Sequence, residues 1–294
     1  MINEKEILTL YGLKWNPFTS NIPADSLWEP PGAESFFFRV ENLVMDGGFA
    51  LICGEPGLGK SKALKLLAHR LEALQDVVVG VIERPQSSLA DFYREMGDLF
   101  QVNLTPANRY GGFKALRLRW REHIAGTLFR PVLLIDESQE TSAGVLNEAR
   151  LLSSTDFDSQ NLLTTVLSGD MRLPERFRKA ELLALGSRVH VRFHMTPYDR
   201  TQLTQYLDHA IDRAGAPHLL TKELKEVLAD HAGGNLRVLN NMAAEILLRG
   251  AEQGAKRLSE KLFLEAFSRA APASQSAGSR NKKPSRNDRK GTRA

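Results

Sequence analysis

The chain has 294 residues, 42% hydrophobic and 25% charged, with one cysteine and a formal net charge of +4. That balance describes a globular protein long enough for a full α/β core and a smaller second domain, at the usual ~100 to 200 residues per domain. It excludes an internal disulfide, since Cys53 has no partner thiol, and a bilayer-spanning helix, since no apolar run approaches ~18 residues. The first residues, Met1 to Glu6, lack the basic-then-apolar order of a signal peptide, so the expected setting is cytoplasmic, with no membrane partner. The charge is uneven. Residues 271–294 carry Arg280, Lys282, Lys283, Arg286, Arg289, Lys290 and Arg293 against Asp288, a net +6, which leaves −2 for the rest. Such a Ser-, Asn- and Pro-containing basic segment buries too little apolar surface to fold alone, and is expected to be a disordered tail suited to nucleic acid.

Residues 1–32 include Tyr11-Gly-Leu-Lys-Trp-Asn-Pro-Phe18 and Pro23, Pro30 and Pro31, which read as a packed aromatic and proline-rich loop. Ala33 to Asp46 reads as a helix stopped by Gly47-Gly48. Phe49 to Cys53 has no polar residue and is expected to be a buried parallel strand, with Cys53 a small buried hydrophobe. The stretch that follows, Gly54-Glu55-Pro56-Gly57-Leu58-Gly59-Lys60-Ser61, fits G-x-x-x-x-G-K-[ST], the loop that cradles nucleotide phosphates. The glycines let backbone N–H groups turn toward the phosphates, Lys60 reaches the β/γ-phosphates, Ser61 offers an oxygen to Mg²⁺, and a helix starting near Lys60 adds its positive end. Lys62 completes the expected ATP-binding set. Trp15, Phe18 and Trp28 are then expected to pack on the core edge or against the adenine ring.

Lys62 to Leu74 reads as an amphipathic helix, Val77 to Ile82 as a second strand, and Ser87 to Phe100 and Gly111 to Leu128 as two further helices. In the last of these Lys114, Arg117 and Arg121 share one side, with Arg119 and Trp120 close by, a candidate DNA-phosphate stripe. Pro131-Val-Leu-Leu-Ile-Asp136-Glu137 is a buried strand closed by two acids, a costly ending unless the acids have work to do. In phosphate-loop enzymes the first acid, here Asp136, holds Mg²⁺, and the second, Glu137, orients and deprotonates the attacking water. Asn161 to Leu167 reads as a fourth strand running into Ser168-Gly-Asp170, Leu173 to Leu185 as a helix, and Val189 to His194 as the fifth strand. From Arg200 onward only helical patterns recur: 200–214, 221–231, 236–249 and 258–270. The histidines are scattered, and His190 and His194 do not suggest a metal site.

Strands alternating with helices, then an all-helical remainder, predict a five-stranded parallel α/β sheet with a C-terminal helical lid. The expected organisation is a segment 1–32, a nucleotide-binding domain 33–196, a lid 197–270 and the tail 271–294.

Taken together, Gly54–Ser61, Val132-Leu-Leu-Ile-Asp-Glu137, Leu185-Gly-Ser-Arg188 and Gly233-Gly-Asn-Leu-Arg237 resemble the AAA+ ATPases, a P-loop NTPase family. Tyr11–Phe18 and Val166-Leu-Ser-Gly-Asp-Met-Arg-Leu173 are most similar to the ExeA-like group and the TniB, TnsC and IstB transposition ATPases. The resemblance implies Mg²⁺-dependent ATP hydrolysis stimulated by homo-oligomerisation into a ring or helical filament. It implies an arginine finger at Arg188 acting on the neighbouring subunit, and a second-sensor arginine at Arg237 acting on its own nucleotide. The first sensor falls at Ser168 or Asp170, between which the pattern does not decide. ExeA-like secretion ATPases carry a membrane segment and a cell-wall-binding region that these residues do not match. The expected output is therefore double-stranded DNA binding that recruits or activates a transposase, with assembly of a secretion or envelope machine as the alternative.

Overall fold

The computed structural model describes residues 3–84, 88–104 and 108–267. The tail 271–294, the expected helix start at Ser87 and the last residues of the 258–270 helix lie outside them. In chain order the elements are α1 (Glu4–Tyr11), α2 (Ala33–Asp46), β1 (Gly48–Gly54), α3 (Lys60–Glu72), β2 (Val79–Ile82), α4 (Leu89–Phe100), α5 (Arg109–Thr127) and β3 (Val132–Ile135). They continue with α6 (Ala143–Ser153), β4 (Ser154–Thr155), β5 (Gln160–Asn161), β6 (Thr164–Gly169), α7 (Arg172–Arg176), α8 (Leu183–Gly186) and β7 (Val189–Met195). Four helices end the described chain: α9 (Arg200–Arg213), α10 (Lys222–Ala232), α11 (Leu236–Glu252) and α12 (Glu260–Phe267).

Five strands form one parallel sheet in the order β2-β3-β6-β1-β7. Pleating divides their side chains between two cores, because successive residues point to opposite faces. Ala50, Ile52, Val132, Leu134 and Val166 face α2, α3 and the C-terminal helices. Phe49, Leu51, Cys53, Leu133, Ile135 and Leu167 face α4, α5 and α6. Both faces are covered, which is why these strands read as continuous apolar runs rather than alternating ones. Cys53 is buried, and burial pushes its thiol pKa up, as expected of an inert packing residue. This is the AAA+ P-loop NTPase fold: a parallel sheet flanked by helices, with further helices packed on one face.

Four local readings differ from the sequence expectation. Residues 4–11 form a helix, not a loop, started by a capping box in which the Asn3 side chain and Glu6 exchange backbone bonds. A helix that the periodicity left unassigned, α6, is capped by Ser142 and buries Val145, Leu146, Ala149 and Leu152. The fourth strand is shifted to Thr164–Gly169, while Asn161 belongs to a separate antiparallel pair, β4–β5. The single helix expected over Leu173–Leu185 is two short ones, α7 and α8.

On the α4–α6 face, Glu148 is 2% exposed and accepts from the Tyr93 hydroxyl at 2.6 Å and from Arg109 Nε at 2.8 Å. Desolvation raises the Glu148 pKa, but hydrogen bonds from Arg109 and Tyr93 outweigh it and hold it below the ordinary glutamate value. A carboxylate depressed in the folded state stabilises the fold above its unfolded pKa, and that contribution is lost as the pH falls through the folded value. Glu148→Ala strands a buried tyrosine hydroxyl but leaves an arginine that is 58% exposed and can rehydrate. The expected loss is therefore about 2 to 3 kcal/mol at neutral pH, below the range for a fully buried pair, and smaller at acid pH. Urea unfolding at two pH values measures it.

Candidate active site

The C-terminal ends of β1, β3 and β6 lie side by side, where ligands bind in open parallel α/β sheets. The loop Gly54–Ser61 leaves β1 there and enters α3 at Lys60. Gly57 and Gly59 have φ of +88° and +95°, and a Cβ on Gly57 would fall 2.3 Å from Asn235 Oδ1. Glycine is required at that point by backbone conformation and close approach together. Among the described residues seven helix starts elsewhere (α1, α4, α5, α6, α9, α10 and α11) have a side-chain cap; α3 begins on Gly59 with none, so its first N–H groups are available to an anion.

A cavity of about 640 Å³ opens over this loop, lined by Pro56, Gly57, Gly59, Lys60, Ser61 and Lys62. The lining also includes Glu137, Gln139, Glu140, Asp170 and Arg172 from the chain after β3 and β6, and Leu236, Arg237, Asn240 and Asn241 from α11. Trp15, Phe18, Leu27 and Trp28 line the cavity as well. Phe18 is buried, whereas Trp28 stands edge-on to Tyr198 and Tyr206, with ring centroids 5.4 and 5.5 Å away. These aromatic residues therefore both pack on the core and line the cavity. The volume is within the ~300 to 1,000 Å³ of small-molecule sites.

Lys60 is buried, and its ammonium donates to the Glu55 carbonyl at 3.0 Å. Burial lowers its pKa, opposed by the carboxylates of Glu137, Asp170 and Asp136, which favour the charged form. Asp136 Oδ1 accepts from the Ser168 hydroxyl at 2.8 Å and from the Glu137 backbone N–H at 2.9 Å. Both bonds fall on one oxygen, leaving Oδ2 free of either. The hydroxyl of Ser61 and the carboxylate of Asp136 are hard oxygen donors, the type Mg²⁺ takes alongside substrate phosphates and water. Glu137 has φ +47°, a left-handed conformation that costs about 1 to 3 kcal/mol in a non-glycine residue and concentrates at functional sites. The two first-sensor alternatives have separate environments. Ser168 is buried on Asp136, whereas Asp170 lines the cavity, paired with Arg172, which also bonds Glu140.

The helical region reaches the loop directly. Asn235 Nδ2 donates to the Pro56 carbonyl at 2.9 Å, the Arg237 N–H to the Gly57 carbonyl at 3.1 Å, and the Tyr198 hydroxyl to the Leu58 carbonyl at 2.8 Å. Asn235 and Tyr198 escaped the sequence reading as loop contacts. Asn235 lies inside the Gly233–Arg237 motif, while Tyr198 gave no local signal. Arg188 is elsewhere, between α8 and β7, paired with Asp158 of the β4–β5 turn and absent from the cavity lining. The basic residues of α5 are also absent from the cavity lining. Lys114, Arg119 and Arg121 are exposed, whereas Arg117 is half-buried over the Phe113 ring, and burial lowers its pKa. Trp120, expected beside this stripe, is instead 1% exposed in the core. No cluster of three or more metal-ligating side chains occurs among the described residues.

A family profile described as "AAA domain" matches residues 44–177. Over 216 residues the chain is 28% identical to General secretion pathway protein A of Aeromonas hydrophila, a match covering 72% of this chain and 39% of that protein. The chain thus spans about two fifths of that relative. Among solved structures, the Aeropyrum pernix ORC2 protein in ADPNP–ADP complexes superimposes with a TM-score of 0.66 at 18% identity, covering 86% of this chain and 71% of that one. The Aeropyrum pernix ORC1 protein in complex with DNA gives 0.60 at 17% identity, covering 86% and 68%. The matched span holds both the phosphate loop and the Asp136–Glu137 pair, which lie two strands apart in the sheet with β6 between them, the arrangement of an ATPase site.

Proposed function

We propose that the chain is an ATP-driven assembly switch. ATP and Mg²⁺ occupy the cavity over Gly54–Ser61, with Ser61 and Asp136 as metal ligands, Ser168 as the first sensor through its bond to Asp136, and Arg237 as the second. Subunits stack into a ring or helical filament in which Arg188 serves the neighbour's nucleotide. The observation that carries this reading is the set of bonds from Asn235, Arg237 and Tyr198 to the loop. A phosphate entering the loop acts on the helical region through them, so nucleotide state becomes subunit shape.

The output proposed is assembly on double-stranded DNA that recruits or activates a transposase. Exposed Lys114, Arg119 and Arg121 on α5 support it, as does the DNA complex of the Aeropyrum ORC1 protein with the same fold. The likeness to General secretion pathway protein A favours a second reading, assembly of a secretion or envelope machine. No helix among the described residues is long and apolar enough to cross a membrane. Sedimentation with a DNA duplex and a slowly hydrolysed ATP analogue separates the two. The transposition reading expects nucleotide-dependent co-sedimentation that weakens steeply with salt. Replacing Lys114, Arg119 and Arg121 by alanine reduces the log–log salt slope by about one per lost phosphate contact. Assembly with nucleotide but indifferent to DNA supports the secretion reading.

A further inference from the structure

The acids of the cavity are tied to the end of β6 by a side chain to which the mechanism so far gives no role. Gln139 is 7% exposed and lies two residues beyond Glu137. Its Nε2 donates to Glu137 Oε2, and its Oε1 accepts the Asp170 backbone N–H at 3.1 Å. The orientation of the carboxamide is not arbitrary: a backbone N–H can only donate, so the oxygen must face Asp170 and the NH₂ must face the glutamate. The surrounding backbone holds it there. Arg176 donates to the Gln139 carbonyl at 2.6 Å, and a Cβ on Gly169 would fall 2.6 Å from Gln139 Oε1, so the residue before Asp170 has room for the amide only as glycine.

We propose that Gln139 is a positioning residue for hydrolysis, setting the Glu137 carboxylate and coupling it to the Asp170–Arg172 end of the cavity. This rests on Glu137 acting as the base. Glu137 sits in a left-handed conformation on an exposed turn. A carboxylate on such a turn needs a partner to hold it near the attacking water, and misplacement by about 1 Å can cost about 10²-fold in rate. Because the amide bridges two strand ends, a shift of Asp170 on phosphate binding or release moves the carboxylate with it.

The test is steady-state ATPase with parallel titration of a fluorescent ATP analogue, on the full chain. Gln139→Ala is expected to lower kcat by about 10- to 100-fold while the nucleotide Kd changes by less than about threefold. Gln139→Glu has the same shape but cannot donate, and adds a negative charge beside Glu137. Gln139→Glu is therefore expected to lose at least as much kcat as Gln139→Ala. Gly169→Ala, which displaces the amide, reproduces the kcat loss. In a Glu137→Gln background Gln139→Ala adds no further loss, as for residues acting as a unit. Wild-type kcat in Gln139→Ala, or a kcat loss matched by loss of nucleotide binding, overturns the inference. Turnover that survives Glu137→Gln overturns the base assignment itself, whatever the Gln139 variants do.

Discussion

Glu137→Gln is expected to lower ATP turnover by about 10² to 10⁴-fold, the usual contribution of a positioned general base, with ATP affinity kept within about threefold. The glutamate lines the cavity, its N–H is fixed by Asp136 Oδ1, and its carboxylate is bonded to Gln139. An amide of the same shape fills the same space and still offers an oxygen to the Gln139 amide. What it cannot do is take a proton from water. ATP therefore stays bound, and under the proposed assembly the ATP-dependent oligomer outlives that of the unmodified chain. Single-turnover phosphate release and fluorescent-nucleotide titration measure the two halves of this prediction. Unchanged turnover assigns the base to another residue.

Arg188→Ala is expected to cost about 10³ to 10⁵ in the turnover of the assembled protein, the range for an arginine that neutralises transition-state charge. The side chain is outside its own subunit's cavity and pairs with Asp158, which is 54% exposed. The arginine itself is 28% exposed, with Nη1 buried, so the pair is partly buried; its loss costs about 1 to 2 kcal/mol, and the variant still folds and binds ATP. Mixing supplies a direct check on action across subunits. Arg188→Ala subunits keep Glu137 and lack the finger, whereas Glu137→Gln subunits keep the finger and lack the base. Mixed assemblies recover turnover at interfaces where an Arg188→Ala site faces a Glu137→Gln neighbour. Failure of recovery, together with weakened ATP binding by Arg188→Ala alone, places the arginine within its own subunit.

Much of the site was legible because its chemistry demands particular residue types at fixed spacing. The phosphate loop needs glycines and a lysine within eight consecutive residues, and an acid pair closing an apolar strand needs no distant partner to be recognised. Two helices were missed for a different reason. The helix at residues 4–11 starts with an Asn-x-x-Glu capping box, and α6 follows Ser142, both local start signals, but each helix is short and the first runs directly into an aromatic and proline-rich loop. The long helix expected over Leu173–Leu185 dissolves into two because backbone bonds turn the chain tightly around Arg178–Leu182.

The sequence by itself determined the fold class, the phosphate-loop motif, the Asp136–Glu137 pair and the change to an all-helical region after the fifth strand. Each depends on local periodicity or on neighbours in the chain, which the amino-acid order records directly. Only the tertiary structure decided which groups meet. Placing β6 between β3 and β1 brings Ser168 onto Asp136 and leaves Asp170 facing the cavity, which separates two residues that sequence left as alternatives. Packing the C-terminal helices against the sheet sets Asn235, Arg237 and Tyr198 on the loop, and the turn after β3 folds Gln139 back between Glu137 and Asp170. Strand order and helix docking follow from burial of two apolar faces summed over the whole sheet, and no single stretch of the chain contains that sum.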